Sequence, residues 1–177
     1  QKPYDDDHEK YDMEIENRFL NGEFEKIDST KFPDSLKFKT PKGKIVYGGG
    51  GIMPDVFVPM DTSGSSRYLS MVSNLGLIYD FAFQYADNNR KQLTALKTGS
   101  AVNTFLMTKN LLNDFIAFAE KKGVKPVNKD IAKSKQILVN QINGFVIRDI
   151  LGDEAFYSQY LKSDKTFQKA VEISRKK

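Results

Sequence analysis

Residues 40–59 read TPKGKIVYGGGGIMPDVFVP, a residue choice that neither a polar coil nor an ordinary helix explains. Four consecutive glycines, Gly48, Gly49, Gly50 and Gly51, lie between two short apolar runs, 45–47 and 56–58. Extended, pliable, extended is the order a chain needs to enter a sheet, bend beside other backbone and leave in a new direction. Pro41-Lys42-Gly43 precedes the run and Met53-Pro54-Asp55 interrupts it, so turn signals fall where a strand must start or stop. Just upstream, Leu36, Phe38 and Thr40 alternate with Lys37 and Lys39, the period of a strand with one buried and one wet face. The spacing predicts a hairpin: a strand ending at Thr40, a turn over 41–44, and residues 45–47 folding back as its partner.

Working outward, the N-terminal side is polar and acidic. Tyr11, Ile15 and Phe19 recur at four-residue spacing, which predicts a short helix over 9–20 that Asn21-Gly22 ends. On the C-terminal side, residues 61–66 form a small-residue linker ending in helix-capping hydroxyls. From Arg67 the period lengthens. Tyr68, Met71, Val72, Leu75, Ile78, Tyr79, Ala82 and Tyr85 predict one long amphipathic helix, with Phe81 and Phe83 broadening its stripe. A shorter helix comes next through Leu112, Phe115, Ile116 and Ala119, closed by Lys121-Lys122-Gly123. Asn128 and Asp130 are the expected caps of the helix after it, with stripe Ile131, Leu138, Ile142, Phe145, Val146, Ile150 and a stop at Gly152. Asp153 and Asp164 begin two more. The fold class expected is α+β and predominantly helical: a short β-hairpin and extended segment, then four to five helices. The division expected is 1–62 and 63–177.

The chain has 177 residues, 40% hydrophobic, with 13 Phe and 8 Tyr but no Trp. Such a chain is globular and packs on aromatic rings. Its net charge of +4 comes from interspersed residues without a run of four Lys or Arg, and its aromatics fall on helix stripes, so nucleic acid is not an expected partner. No cysteine is present, which excludes disulfides and thiolate metal sites. No apolar run approaches the roughly 20 residues that span a bilayer, so direct membrane insertion is not expected. The chain opens on Gln1 rather than Met, which leads to the expectation that an N-terminal portion precedes it.

The glycines invite a phosphate-loop reading. A P-loop requires a Lys-Ser/Thr pair after its last glycine; here Ile52-Met53-Pro54-Asp55 comes after Gly51, and Pro54 in an extended run leaves no helix N-terminus for a phosphate. A Ser-His-Asp triad through Ser63, Ser65 or Ser66 is not expected, because the sole histidine, His8, belongs to the acidic tail with Asp5, Asp6 and Asp7. Composition leaves a Ser-Lys dyad open, since 27 basic residues always place a lysine nearby, but these serines read first as linker and cap. That tail is most simply a solvated turn, since three adjacent carboxylates cannot converge on one ion. Glu14 with Glu16, and Asp153 with Glu154, point apart on a helix. The Phe and Tyr stripes read as core before they read as a ligand pocket. By residue chemistry no complete active site is present, and no cofactor or metal is expected.

Residues 40–59 nevertheless resemble the end of the protease core in C-terminal processing peptidases, the tail-specific serine proteases, where a TPxGR-type turn leads into a glycine-rich strand and a G-I-x-P-D motif. The four glycines and the lead-in DSLKFKTPKGK are similar to the Bacteroidetes-type subgroup. Gln1-Lys2-Pro3-Tyr4 resembles the residues directly after the first TPSGR-type turn of those enzymes. NLLNDFIAFAEKKGVK and SKQILVNQINGFVIRDILG resemble their C-terminal helical extension. The match concerns Thr40, Pro41, Gly43, Gly48, Gly49, Gly50, Gly51, Ile52, Pro54 and Asp55, all structural positions in that family; Lys44 departs from the commoner arginine. The family's serine, in an S-A-S-type segment, and its lysine, in a G-x-x-x-x-G-K-G segment, have no counterpart here. The resemblance implies a catalytically silent C-terminal region of a periplasmic serine endopeptidase, with protein or peptide substrates and a homo-oligomeric copy as partners. It also implies open strand edges, so that the isolated region is expected to self-associate through 36–47 or to leave that stretch poorly ordered. The alternative is a stand-alone helical protein-interaction module that was never part of an enzyme.

Overall fold

A computed structural model of the chain describes residues 8–25, 35, 37–47 and 54–176. The fold is α+β and predominantly helical. Two compact units divide it, Gln1–Asp61 and Thr62–Lys177.

In the first unit, helix α1 spans His8–Leu20. Gly22 ends it in the left-handed conformation (φ 74°), its N–H donating to the Phe19 carbonyl while the Glu23 N–H reaches back to Arg18. This pair of bonds satisfies carbonyls that any helix C-terminus leaves without partners. Strands β1 (Lys37–Lys39) and β2 (Ile45–Tyr47) pair antiparallel, with Phe38 opposite Val46. The predicted hairpin therefore forms, with Lys39 opposite Ile45 and a loop one residue shorter than the expected turn over 41–44. Its apolar residues do not find cover among the described residues: Phe38, Ile45 and Val46 are exposed, as are Met13, Ile15, Phe19 and Leu20 of α1. The four-residue spacing marked a helix correctly, but its stripe is open.

The second unit is built on one rod. Helix α7 (Asn128–Tyr160) packs against α2 (Arg67–Asn74), α3 (Leu77–Asn88), α4 (Arg90–Thr94), α5 (Gly99–Met107) and α6 (Leu111–Lys121). Its Leu138, Ile142, Val146 and Ile147 are fully buried with Val72, Ala82, Leu93, Val102 and Phe115 from the surrounding helices. Burying one such side chain contributes roughly 1.5–3 kcal/mol, so this seam dominates the unit's stability. Helix α8 (Lys165–Ser174) comes last, capped by Asp164 as predicted, whose Oδ1 accepts the Phe167 N–H at 2.8 Å; it buries no residue.

Three departures from the sequence reading have physical causes. The helix predicted to run from Arg67 through Tyr85 is broken: Gly76 is left-handed (φ 68°, ψ 9°). The buried face restarts out of phase after the break, at Leu77, Ile78, Phe81 and Ala82. Leu75 and Tyr79, which fit an unbroken stripe, are consequently 58% and 45% exposed. Second, α7 starts without a side-chain cap. Asn128 is its first residue, and the Asp130 carboxylate instead accepts the Tyr68 N–H of α2 at 3.2 Å. Third, the short α4 was not anticipated. The stop at Gly152 is present as a sharp reversal inside α7 (φ 83°, ψ −177°).

Candidate functional site

The motif residues of the hairpin meet in one small structure. Thr40 closes the loop with three bonds: its N–H donates to the Lys44 carbonyl at 2.8 Å, its carbonyl accepts the Gly43 N–H at 2.8 Å, and its Oγ1 accepts the Lys44 N–H at 3.0 Å. Pro41 succeeds Thr40 as the first loop residue, where its fixed φ starts the turn. Gly43 takes a positive φ of 82°, the arrangement of a three-residue hairpin loop with glycine in the left-handed position. Lys44 then pairs through Nζ with Asp55 Oδ1, so the chain after the glycine run returns beside the loop. Both partners are exposed, and such a pair adds little stability. Pro54 sits immediately before Asp55. Of the motif residues, Gly48, Gly49, Gly50, Gly51 and Ile52 lie outside the described residues; Thr40, Pro41, Gly43 and Asp55 are brought together, with Pro54 adjoining.

Of the hydroxyls weighed as nucleophiles, that of Ser66 is engaged as a helix cap. Ser66 Oγ accepts the Leu69 N–H at 3.2 Å as the N-cap of α2 and is bonded to Ser134 Oγ at 2.7 Å. Ser134, fully buried on α7, also donates to the Gly64 carbonyl at 2.7 Å. A serine on one helix thus fastens the linker and the cap of another. That role could not be read from the sequence, where Ser134 is merely one polar position in an apolar stripe. Asp153 pairs with Arg148 at 2.7 Å rather than with Glu154. His8 opens α1, and Asp5, Asp6 and Asp7 fall outside the described residues. Among the described residues no group of His, Cys, Asp or Glu is placed to hold a metal ion.

The helical unit carries a second feature, a ladder of rings. Phe83 lies 6.3 Å from Tyr79, Tyr79 meets Phe145 edge-on at 5.5 Å, Phe145 lies parallel to Phe156 at 6.3 Å, and Phe156 stacks on Tyr160 at 5.5 Å. The sequence reading assigned these rings to helix stripes; the outer rungs, Phe83, Tyr79 and Tyr160, are instead substantially exposed. Arg148 lies over the Phe156 face. Beside the ladder sits Asp149, one of whose oxygens is buried without a hydrogen-bond partner. Burial pushes its carboxyl above the ordinary value, against the opposing pull of Arg90 and Arg148 and a hydrogen bond from Tyr79, while Asp87 adds to the rise. Tyr68 and Tyr85 are likewise pushed up, by burial first and by Glu120 and Asp114 second. An open depression on α3–α4, lined by Asn88, Asn89, Lys91 and Gln92, holds no converging reactive groups.

No curated protein matches the chain, and no solved structure does. A family of unknown function (DUF8443) matches it over residues 68–152. The span begins at Tyr68, the residue Asp130 holds, and ends at Gly152, where α7 reverses. The chain is therefore similar to that family across α2 to α6 and the straight part of α7.

Proposed function

We propose that the chain is a non-catalytic C-terminal region of a periplasmic serine endopeptidase of the C-terminal processing type. The parent cleaves peptide bonds through an acyl-enzyme. A serine attacks the carbonyl, a neutral lysine takes its proton, and hydrogen-bond donors hold the developing oxyanion. This region supplies none of those groups and is inactive alone. The observation that carries the reading is the loop at Thr40–Lys44. The residues that resemble a TPxGR-type turn form a closed three-bond hairpin, and the Asp that resembles the end of the G-I-x-P-D motif returns onto its Lys44. The uncovered apolar residues of α1 and the hairpin support it further, since a larger sheet is the natural cover for such a face. In this reading the helical unit governs packing, access or oligomerisation of the parent.

The encoding reading frame and its product test this. The expected result is an S-A-S-type serine segment and a G-x-x-x-x-G-K-G lysine segment upstream of Gln1. The full-length product then hydrolyses extended peptides, loses activity on serine substitution, and changes oligomeric state or selectivity on deletion of 62–177. Absence of both segments, or a full-length product without hydrolysis, refutes the proposal. It would leave the stand-alone interaction module, which the half-exposed aromatic ladder favours.

A further inference from the structure

The boundary at Asp61 separates charge as well as structure. The first unit has 9 Lys and Arg against 13 Asp and Glu, whereas the helical unit has 18 against 10. Much of that excess gathers at one corner. Lys121, Lys122, Lys125, Lys129 and Lys133 occupy the end of α6, the connection, and the start of α7, and all are exposed. Ile131, Ser134 and Leu138 turn inward, so Lys129 and Lys133, one turn apart, stand on the opposite face of α7. The hydrogen bond from Tyr68 N–H to Asp130 brings the start of α2, and with it Arg67, to the same corner.

Glu120 and Asp130 lie in the same stretch, leaving the lysines in excess. Among the described residues none of these five lysines forms an ion pair, whereas the acids of the helical unit that form salt bridges do so elsewhere. Asp130 is occupied by the Tyr68 N–H. Lys122 lies over the Phe118 ring at 5.6 Å, which covers that ring. Between Lys125 and Lys129 the connection carries Pro126 and Val127, and Val127 is 49% exposed. The turn itself is firmly built: Gly123 adopts φ 93°, Val124 N–H bonds to the Ala119 carbonyl, and Val124 is buried. A well-bonded corner thus presents exposed cationic side chains around an apolar tip.

We propose that the α6–α7 corner docks on an anionic phospholipid surface, with the lysines meeting headgroup phosphates and Val127 entering the interface. The residue types select this partner over other polyanions. The segment uses lysine throughout, a strongly hydrated point charge without the fork that reads fixed phosphate or base geometry. No exposed aromatic ring stands in the segment to stack a base. A fluid surface whose headgroups rearrange under the charges needs neither device, and juxtaposed lysines near it add affinity cumulatively. The docking is peripheral, since no helix is long and apolar enough to cross a membrane among the described residues. It does not depend on the protease reading.

Cosedimentation of the 177-residue chain with vesicles decides it. Phosphatidylcholine vesicles containing about one third phosphatidylglycerol bind the chain at low salt, pure phosphatidylcholine vesicles do not, and about 0.5 M salt releases it. Lys125→Ala with Lys129→Ala lowers the partition coefficient roughly thirtyfold without altering the circular dichroism, because both side chains are exposed. Val127→Ser lowers it by a smaller factor. Lys91→Ala with Lys97→Ala, on and beside α4, removes equal charge away from the corner and changes it less than about threefold. Equal binding to both vesicles, equal losses in the two double variants, or preferential retention on a DNA duplex at the same ionic strength overturns the proposal.

Discussion

Replacing Gly152 by alanine asks whether the reversal in α7 depends on backbone freedom. In an unbroken helix Phe145 and Phe156 would be about 16 Å apart along the axis. Their ring centroids are 6.3 Å apart with planes at 1°. Gly144 lies close enough to Phe156 that an added Cβ would meet its ring at 3.0 Å, and Gly99 similarly approaches Ala155. All of these contacts require the chain to fold back at Gly152. Its φ of 83° and ψ of −177° lie in a region that residues with a Cβ hardly occupy, at a cost of about 1–3 kcal/mol. No atom lies within 4 Å of the added Cβ, so backbone strain accounts for the whole cost. At roughly 4 °C per kcal/mol for a unit of this size, Gly152→Ala lowers the midpoint of thermal unfolding by about 4–12 °C. Far-ultraviolet circular dichroism measures it. Asparagine provides the control: Gly152→Asn costs as much as alanine, whereas Gly76→Asn, at a left-handed position asparagine tolerates, costs less than half as much. A Gly152→Ala protein within about 0.5 kcal/mol of wild type, with the Phe145–Phe156 contact retained by nuclear Overhauser effects, would refute the reasoning.

Ser134→Ala leaves the Gly64 carbonyl without its side-chain donor and Ser66 Oγ with the Leu69 N–H alone; it lowers stability by about 1–3 kcal/mol in urea titration. Because Ser66→Ala breaks the same pair and the α2 cap, the double variant loses less than the two singles added. Asp149→Asn tests the partly buried carboxyl through pH. Burial raises the folded-state pKa above the unfolded value, so the stabilisation by protonation is complete below about pH 4 and fades as pH rises through the folded-state value. The variant is therefore more stable than wild type at neutral pH, and the difference closes on acidification; a pH-independent difference in melting temperature would contradict this.

Local chemistry was the legible part of the fold. Thr40, Pro41 and Gly43 specify their loop through bonds spanning four residues, and Gly22, Gly123 and Gly152 mark real helix ends because a positive φ is a local demand. Ser66 and Asp164 cap the helices that come after them. What failed was phase across a break. Counting in fours carried the stripe from Met71 through Leu75 to Tyr79, yet Gly76 resets the helix and puts Leu75 and Tyr79 outside. Long-range polar bonds were also invisible. Asp130 looked like a cap for its own helix and serves α2, 62 residues earlier, and Ser134 reaches Gly64 across 70 residues. The lysine corner is hidden in the net charge of the whole chain, which averages an acidic unit with a basic one.

The central position of α7 sets the order in which the helical unit can be made. During synthesis α2 to α6 emerge first, but the face each buries is directed mainly at residues 131–147, which are made after them. Until that rod leaves the ribosome, Phe115 can meet Phe81 of α3, but collapse of the early helices alone leaves much of their apolar stripes exposed. The unit therefore gains most of its stability late, once α7 is available to cover the earlier helices. A ribosome stalled before Ile131 would display a set of incompletely covered amphipathic helices, whereas one stalled well beyond Leu151 would display a folded domain.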